Sequence, residues 1–522
     1  MLHNKPRRGP VPGNRTRSKG SVDTPLPQEE LDDMISPPRG AMREPGNRPA
    51  PHFRRRGPGP ERSGPRPAGG RLPYRNIPPR HEVNDADRLL ELAERFGSAG
   101  DPLNVDQLKQ ESLKSLNRIG DDLQADFSNL EKDDSEGRLQ AIFQVSLKAQ
   151  RPLHEEGLLQ VQEEGFGFLV KEANNWNHVE GDTFIPYAVI KKYNLRQGQK
   201  IAVQIHPGQP GQVIPYALKV LQVMARNLEN AEALPEFSTL PVKTPDEAIF
   251  LLPTAAPRAR KTAKKKAVAT ADIDPVLGFV DRLAPLAKGQ RYLVSAPSRT
   301  GKSYLFRQLA ARLPQLAPKA TVIVLLIDAR PEEVATFEAI EKIQVVATTY
   351  DEKPARHINA AETILDFAKR KVEGGEEVIL LVDSLTKLQR AYQGKFAFDP
   401  GWESDPLAAS ILATKRYWGS GRAVAKGGSL TMIASLVTGH ESAGRVLHAG
   451  VYEEMANAVL VFERDLARRR IYPAINCHAS GTSDEEKLFT KSQLEDIFQL
   501  RKRIGDVPLE EAVDMVHEAL SS

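Results

Sequence analysis

Tyr292-Leu293-Val294-Ser295-Ala296-Pro297-Ser298-Arg299-Thr300-Gly301-Lys302-Ser303-Tyr304-Leu305-Phe306-Arg307-Gln308-Leu309 is the stretch that decides the fold. A short apolar strand runs into a turn and then into helical spacing. This is the strand–loop–helix context that a phosphate-binding loop requires, and Ala296 to Ser303 fits its pattern with Ala296 in place of the first glycine. Backbone N–H groups at the helix start would cradle phosphates, Lys302 would neutralise the β/γ oxygens, and the Ser303 hydroxyl would hold Mg²⁺. A chance match in coil would lack the flanking strand and helix.

A second acid should end a neighbouring apolar strand, and Val378-Ile379-Leu380-Leu381-Val382-Asp383 supplies it in Asp383. A lone aspartate there often only caps the next helix. Beside a phosphate loop it points instead to a Mg²⁺-bound nucleoside triphosphate, ATP or GTP. From about residue 275 onward, runs such as Ala320 to Ile327 alternate with helical stretches, which implies βαβ units and a parallel sheet.

Upstream the pattern changes. Gly157 to Val161, Gly165 to Val170, Thr183 to Ile185 and Lys200 to Ile205 are short strands between Gly, Asn and Asp turns, a rhythm that suggests a small β-barrel. Before them, Leu89, Leu92, Ala93 and Phe96, then Leu108, Leu113, Leu116 and Ile119, fall at helical spacing. Residues 1–80 hold 17 of the 39 prolines and 17 Lys/Arg against 7 Asp/Glu, a net +10 that the remainder reduces to +4. Such a segment cannot bury enough surface to offset its ordering entropy, so it is expected to be a disordered arm, either RNA-binding or merely solubilising. The sequence thus divides into the arm (1–80), a helical unit (83–150), a barrel (155–225), a connector with the basic run Arg258 to Lys266 (226–272) and a nucleotide-binding domain (273–522). No apolar run approaches the roughly 18 residues that span a bilayer. With no signal-like N-terminus and one cysteine, Cys477, the expected location is the cytoplasm.

Gly289-Gln290-Arg291, Ile327 to Val334, Val382 to Tyr392, Gly427 to Thr431, Tyr452-Glu453-Glu454 and Ile471 to Ile475 resemble, in the same order, the bacterial transcription termination factor Rho family. Gly165 to Leu169 and Lys192 to Gly198 resemble its cold-shock-type RNA-binding domain. The resemblance implies an OB-fold barrel and a RecA-like domain. It also implies a ring of six subunits with ATP at their interfaces, single-stranded pyrimidine-rich RNA through the centre, and action on the RNA polymerase elongation complex. Lys288, Gly289, Gln290, Arg291, Arg299, Thr300, Gly301, Lys302, Ser303, Tyr304, Arg330, Arg470 and Tyr472 are the implied nucleotide-binding residues, Tyr472 as the adenine-stacking aromatic. Phe166, Phe168, Tyr193 and Arg196 are the implied RNA contacts. Phe166 and Phe168 alternate on one face of a strand, as a base-stacking platform needs, although core packing would produce the same pattern. The glycines flanking Phe166 favour close approach of a ligand.

Three positions depart from the family. Ala329 stands where the family has the glutamate that activates water, Ser483 where it has an arginine finger, and Glu441 where a lysine faces RNA. A positioned base is worth about 10²–10⁴ in rate and an arginine finger about 10³–10⁵. Hydrolysis is therefore expected to be weak unless Glu332 or Glu333 substitutes, and a non-hydrolysing ring that clamps ATP and RNA is the alternative. Rotary ATP synthase subunits share the core fold but lack a Gly-Phe-Gly-Phe barrel.

Overall fold

The computed structural model describes residues 76–209, 211–228, 234–252, 274–397, 405–425, 427–439 and 449–521. Residues 1–75 of the arm, the basic run of the connector and Glu441 lie outside these residues, while the end of the arm is described and Arg80 opens the short helix Arg80–Val83.

The larger part is built on a sheet with strands in the order Gln344–Thr349, Thr321–Ala329, Glu377–Asp383, Ser429–Thr438, Arg291–Pro297, Ala458–Val461 and Gly481–Thr482. All neighbours are parallel except the last pair. Apolar side chains cover both faces: Ile323, Leu325 and Ile327 enter one core, Val322, Val324 and Leu326 the other. That is why these strands read as unbroken apolar runs. Helix Lys302–Leu316 follows the phosphate loop, and helix Pro354–Glu373 packs on the opposite core. Residues 234–252 belong to this domain more than to a connector: Val242–Lys243 pairs with Arg422–Val424 at the sheet's margin.

The smaller part is a closed barrel. Strands Leu153–Val161, Gly167–Val170, Thr183–Ile185, Tyr216–Val223 and Lys200–His206 pair in that order, and the last returns to the first. The closing strand Tyr216–Val223 was not anticipated from the sequence, because the Pro- and Gly-rich segment before it obscures its start. Helices Ala86–Arg95, Val105–Gln110, Leu113–Leu123 and Ser135–Lys148 form the helical unit. The helical spacing of Leu108, Leu113, Leu116 and Ile119 spans two helices, because Ser112 caps the second by accepting from the Ser115 amide at 3.3 Å. Among the described residues no helix is long and apolar enough to cross a membrane.

Barrel and sheet share one apolar core and a polar clamp. Glu373, at the end of helix Pro354–Glu373 and with its side chain fully buried, accepts from Arg196 and from the Phe237 amide, each at 2.7 Å, and forms an ion pair with Arg370 at 3.2 Å. Gly198 (φ +77°) passes so close that a Cβ there would lie 2.6 Å from Asp366. Asn175 accepts from the amide of Ala347 on the edge strand at 2.8 Å.

Candidate nucleotide and RNA sites

The phosphate loop leaves strand Arg291–Pro297 and turns through Arg299 (φ +66°) and Gly301 (φ +106°) into its helix. Thr300 braces the turn by donating to the Pro297 carbonyl at 2.8 Å. Gly301 is required here, since a side chain at that φ is strained. The Lys302 ammonium contacts the Asp383 carboxylate, and Asp383 also accepts from Ser435 at 2.9 Å. Burial opposes ionisation of Asp383, but Lys302, Lys387 and the Ser435 hydrogen bond together hold its carboxyl below the usual range.

Ala329 ends strand Thr321–Ala329 on the same edge and is 2% exposed. The Lys387 ammonium donates to the Asp328 carbonyl at 3.0 Å, fixing the backbone just before it. Arg330, Glu332 and Glu333 start the next helix from this edge. Loop, acid, alanine and Arg330 therefore converge at the carboxyl ends of the strands, where open α/β sheets bind ligands. Tyr304, in the first turn of the loop helix, and Tyr472 have ring centres 6.0 Å apart, and Arg470 (φ +62°) is exposed nearby in sequence.

Ser303 and Asp383 suit Mg²⁺, a hydroxyl and a carboxylate that would complement phosphate oxygens. Among the described residues no group of three or more His, Cys, Asp or Glu could hold a metal alone. The ion would therefore bind together with the phosphates.

Lys288, Gly289, Gln290 and Arg291 are placed elsewhere. They sit at the start of the loop strand, about 20 Å from its end at ~3.3 Å per residue. Lys288 pairs with Glu377 at 2.6 Å, and the Gly289 amide donates to Thr431 at 2.8 Å. Gln290 accepts from the Ala287 amide at 2.8 Å, and Arg291 donates to the Met455 and Gly421 carbonyls at 2.6 and 2.8 Å. These bonds knit the far edge of the sheet. Ser483 lies on that edge too, its amide donating to the Asn457 carbonyl at 2.7 Å while the Asn457 side chain accepts from the Arg291 amide.

The barrel residues also have intramolecular partners. Phe166 is 7% and Phe168 0% exposed, packed with Phe184, and the Phe168 ring stacks on His178 at 3.8 Å. Both rings are packed inside the barrel here, and the flanking glycines have local contacts of their own. A Cβ on Gly165 would meet Tyr187 at 2.9 Å, and one on Gly167 would meet the Gln160 carbonyl at 2.8 Å. Tyr193 is half-buried against the core, and Arg196 is in the Glu373 clamp. Sequence reasoning missed Tyr187, which is 53% exposed beside the Gly165 turn, and Ser435, which no local pattern marks.

Comparison with known proteins agrees with this arrangement. Residues 155–229 match the family model described as Rho termination factor, RNA-binding domain, and residues 277–482 match that of the ATP synthase alpha/beta family, nucleotide-binding domain. The transcription termination factor Rho of Pseudomonas aeruginosa is 30% identical over 423 residues, covering 80% of this chain and 96% of its own. That of Escherichia coli strain K12 is 32% identical over 406 residues, covering 77% and 92%. With an RNA-binding barrel, a nucleotide-binding sheet and this extent of identity, the chain belongs to the Rho transcription termination factor family.

Proposed function

We propose that this Rho-family chain binds ATP with Mg²⁺ at the phosphate loop and single-stranded, pyrimidine-rich RNA through its barrel, and that it hydrolyses ATP only slowly. The observation that carries the proposal is Ala329, a buried methyl group at the edge where Lys302 and Asp383 meet. Lys302 neutralises the phosphates, Ser303 and Asp383 hold the ion that helps draw charge from them, and Arg299 and Arg330 lie at the rim. Nothing at position 329 can accept a proton from water.

Ser483 supports a ring. About 20 Å of strand separates its edge from the phosphate loop of the same chain, so a side chain there acts on a nucleotide only across an interface with a neighbouring copy. We take the ring as six-membered, acting in the cytoplasm on the RNA polymerase elongation complex, as the sequence resemblance implies. With a serine at that position the neighbour's transition state receives no added positive charge. The non-hydrolysing clamp is favoured by this same pair of residues.

For RNA, Tyr187 offers an exposed ring on the barrel. Stacking one base on it would contribute about 1–3 kcal/mol. The test of the disabled site is restoration: Ala329→Glu with Ser483→Arg should raise RNA-stimulated phosphate release by orders of magnitude, each single change giving little because base and finger serve one transition state. A double variant no faster than the wild type would reject the assignment.

A further inference from the structure

The carboxylate of Asp274 gathers three donors. Its Oδ1 accepts from the Val276 amide at 2.9 Å, which caps helix Pro275–Leu283, and from the Tyr472 hydroxyl at 2.6 Å. Its Oδ2 accepts from the Tyr304 hydroxyl. A helix cap needs only the first of these bonds. The other two tie together side chains 168 residues apart in sequence, at angles that make a corner: the rings are 83° from parallel.

That corner lies beside the phosphate loop. Tyr304 is two residues beyond Lys302 in the first turn of the loop helix. Tyr472 is 45% exposed, and its carbonyl accepts from His517 Nε2 of the C-terminal helix at 2.8 Å. Its backbone and its hydroxyl are both held while part of the ring remains open. Burial and the Asp274 hydrogen bond raise the Tyr472 hydroxyl above the ordinary phenol range, and the Asp274 bond chiefly does the same for Tyr304. Both remain proton donors to the carboxylate at neutral pH.

We propose that Asp274 is a positioning residue for nucleotide binding, holding Tyr304 and Tyr472 as a preformed aromatic corner that receives the base of a nucleoside triphosphate whose phosphates lie on the loop. The inference rests on the nucleotide-site reading above. Asp274 touches neither base nor phosphate; it removes the rotamer freedom that the two rings would otherwise lose on binding, and so raises affinity for the nucleoside part alone.

The test uses the full chain, calorimetric titration with ATP and with inorganic tripolyphosphate, each with Mg²⁺, and Asp274→Ser, which retains a helix-capping hydroxyl but cannot bridge two tyrosines. Asp274→Ser is expected to weaken ATP about tenfold, the effect of unfixing two aromatic side chains, while tripolyphosphate stays within about twofold. Tyr472→Phe, which keeps the ring and loses its tether, should fall between Asp274→Ser and wild type, and Asp274→Asn should recover part of the loss. Wild-type ATP affinity in Asp274→Ser overturns the inference, as does a parallel loss of ATP and tripolyphosphate. Wild-type protein that binds neither ligand overturns the nucleotide reading and the inference with it.

Discussion

Lys302 and Asp383 form a pair in which each ion is compensated by the other, with Ser435 completing the carboxylate's hydrogen bonds. Lys302→Ala therefore does two things: it removes the phosphate's counter-charge and strands a buried anion. ATP binding should be lost in calorimetry, with a lower melting temperature as well; retained affinity would place the nucleotide elsewhere. Phe168 is enclosed by Phe184 and His178, so Phe168→Ala should cost about 3–5 kcal/mol of barrel stability, read by chemical denaturation. Tyr187→Ala should leave that stability unchanged and weaken binding of a short pyrimidine oligonucleotide about fivefold or more; undiminished affinity would exclude Tyr187 as a stacking contact. Lys302, Ser303 and Asp383 were legible in the sequence because their chemistry depends on local context, a loop between strand and helix and an acid at a strand's end. The fates of Phe166, Phe168 and Arg196 were not, because alternation along a strand fixes which residues share a face but not whether that face meets solvent or core.

At the scale of elements, the Asp383 and phosphate-loop strands were recognisable from apolar runs and turn residues, and the structure extends each by one to three residues. What the runs could not give is which edge each residue occupies. Gly289-Gln290-Arg291 adjoins the loop in sequence, yet a seven-residue strand carries it to the other side of the sheet. Helix Pro354–Glu373 was equally invisible as a link between domains, since Glu373 and Arg196 are 177 residues apart. Removing Glu373 leaves the partly buried Arg196 and Arg370 guanidiniums without their carboxylate. Glu373→Ala should cost about 3–5 kcal/mol and separate barrel unfolding from sheet unfolding in a thermal scan; a single unshifted transition would show that apolar packing alone joins the two.

For the whole molecule, composition and motif order were sufficient to divide the chain into an RNA-binding barrel and a nucleotide-binding sheet. The tertiary assignment of Ser483 to the far edge required coordinates. Ala329 and Ser483 then occupy opposite edges of one sheet, and in the proposed reading neither the methyl group nor the hydroxyl supplies the base or the positive charge that turnover needs. The direct measurement is phosphate release by the purified wild-type chain with saturating ATP, Mg²⁺ and pyrimidine-rich RNA. A rate far below about 1 s⁻¹, the low end of ordinary enzyme turnover, is the expected result; release at or above that rate would mean that other residues activate water and neutralise the transition state, and would contradict the account of a site that binds ATP but barely hydrolyses it.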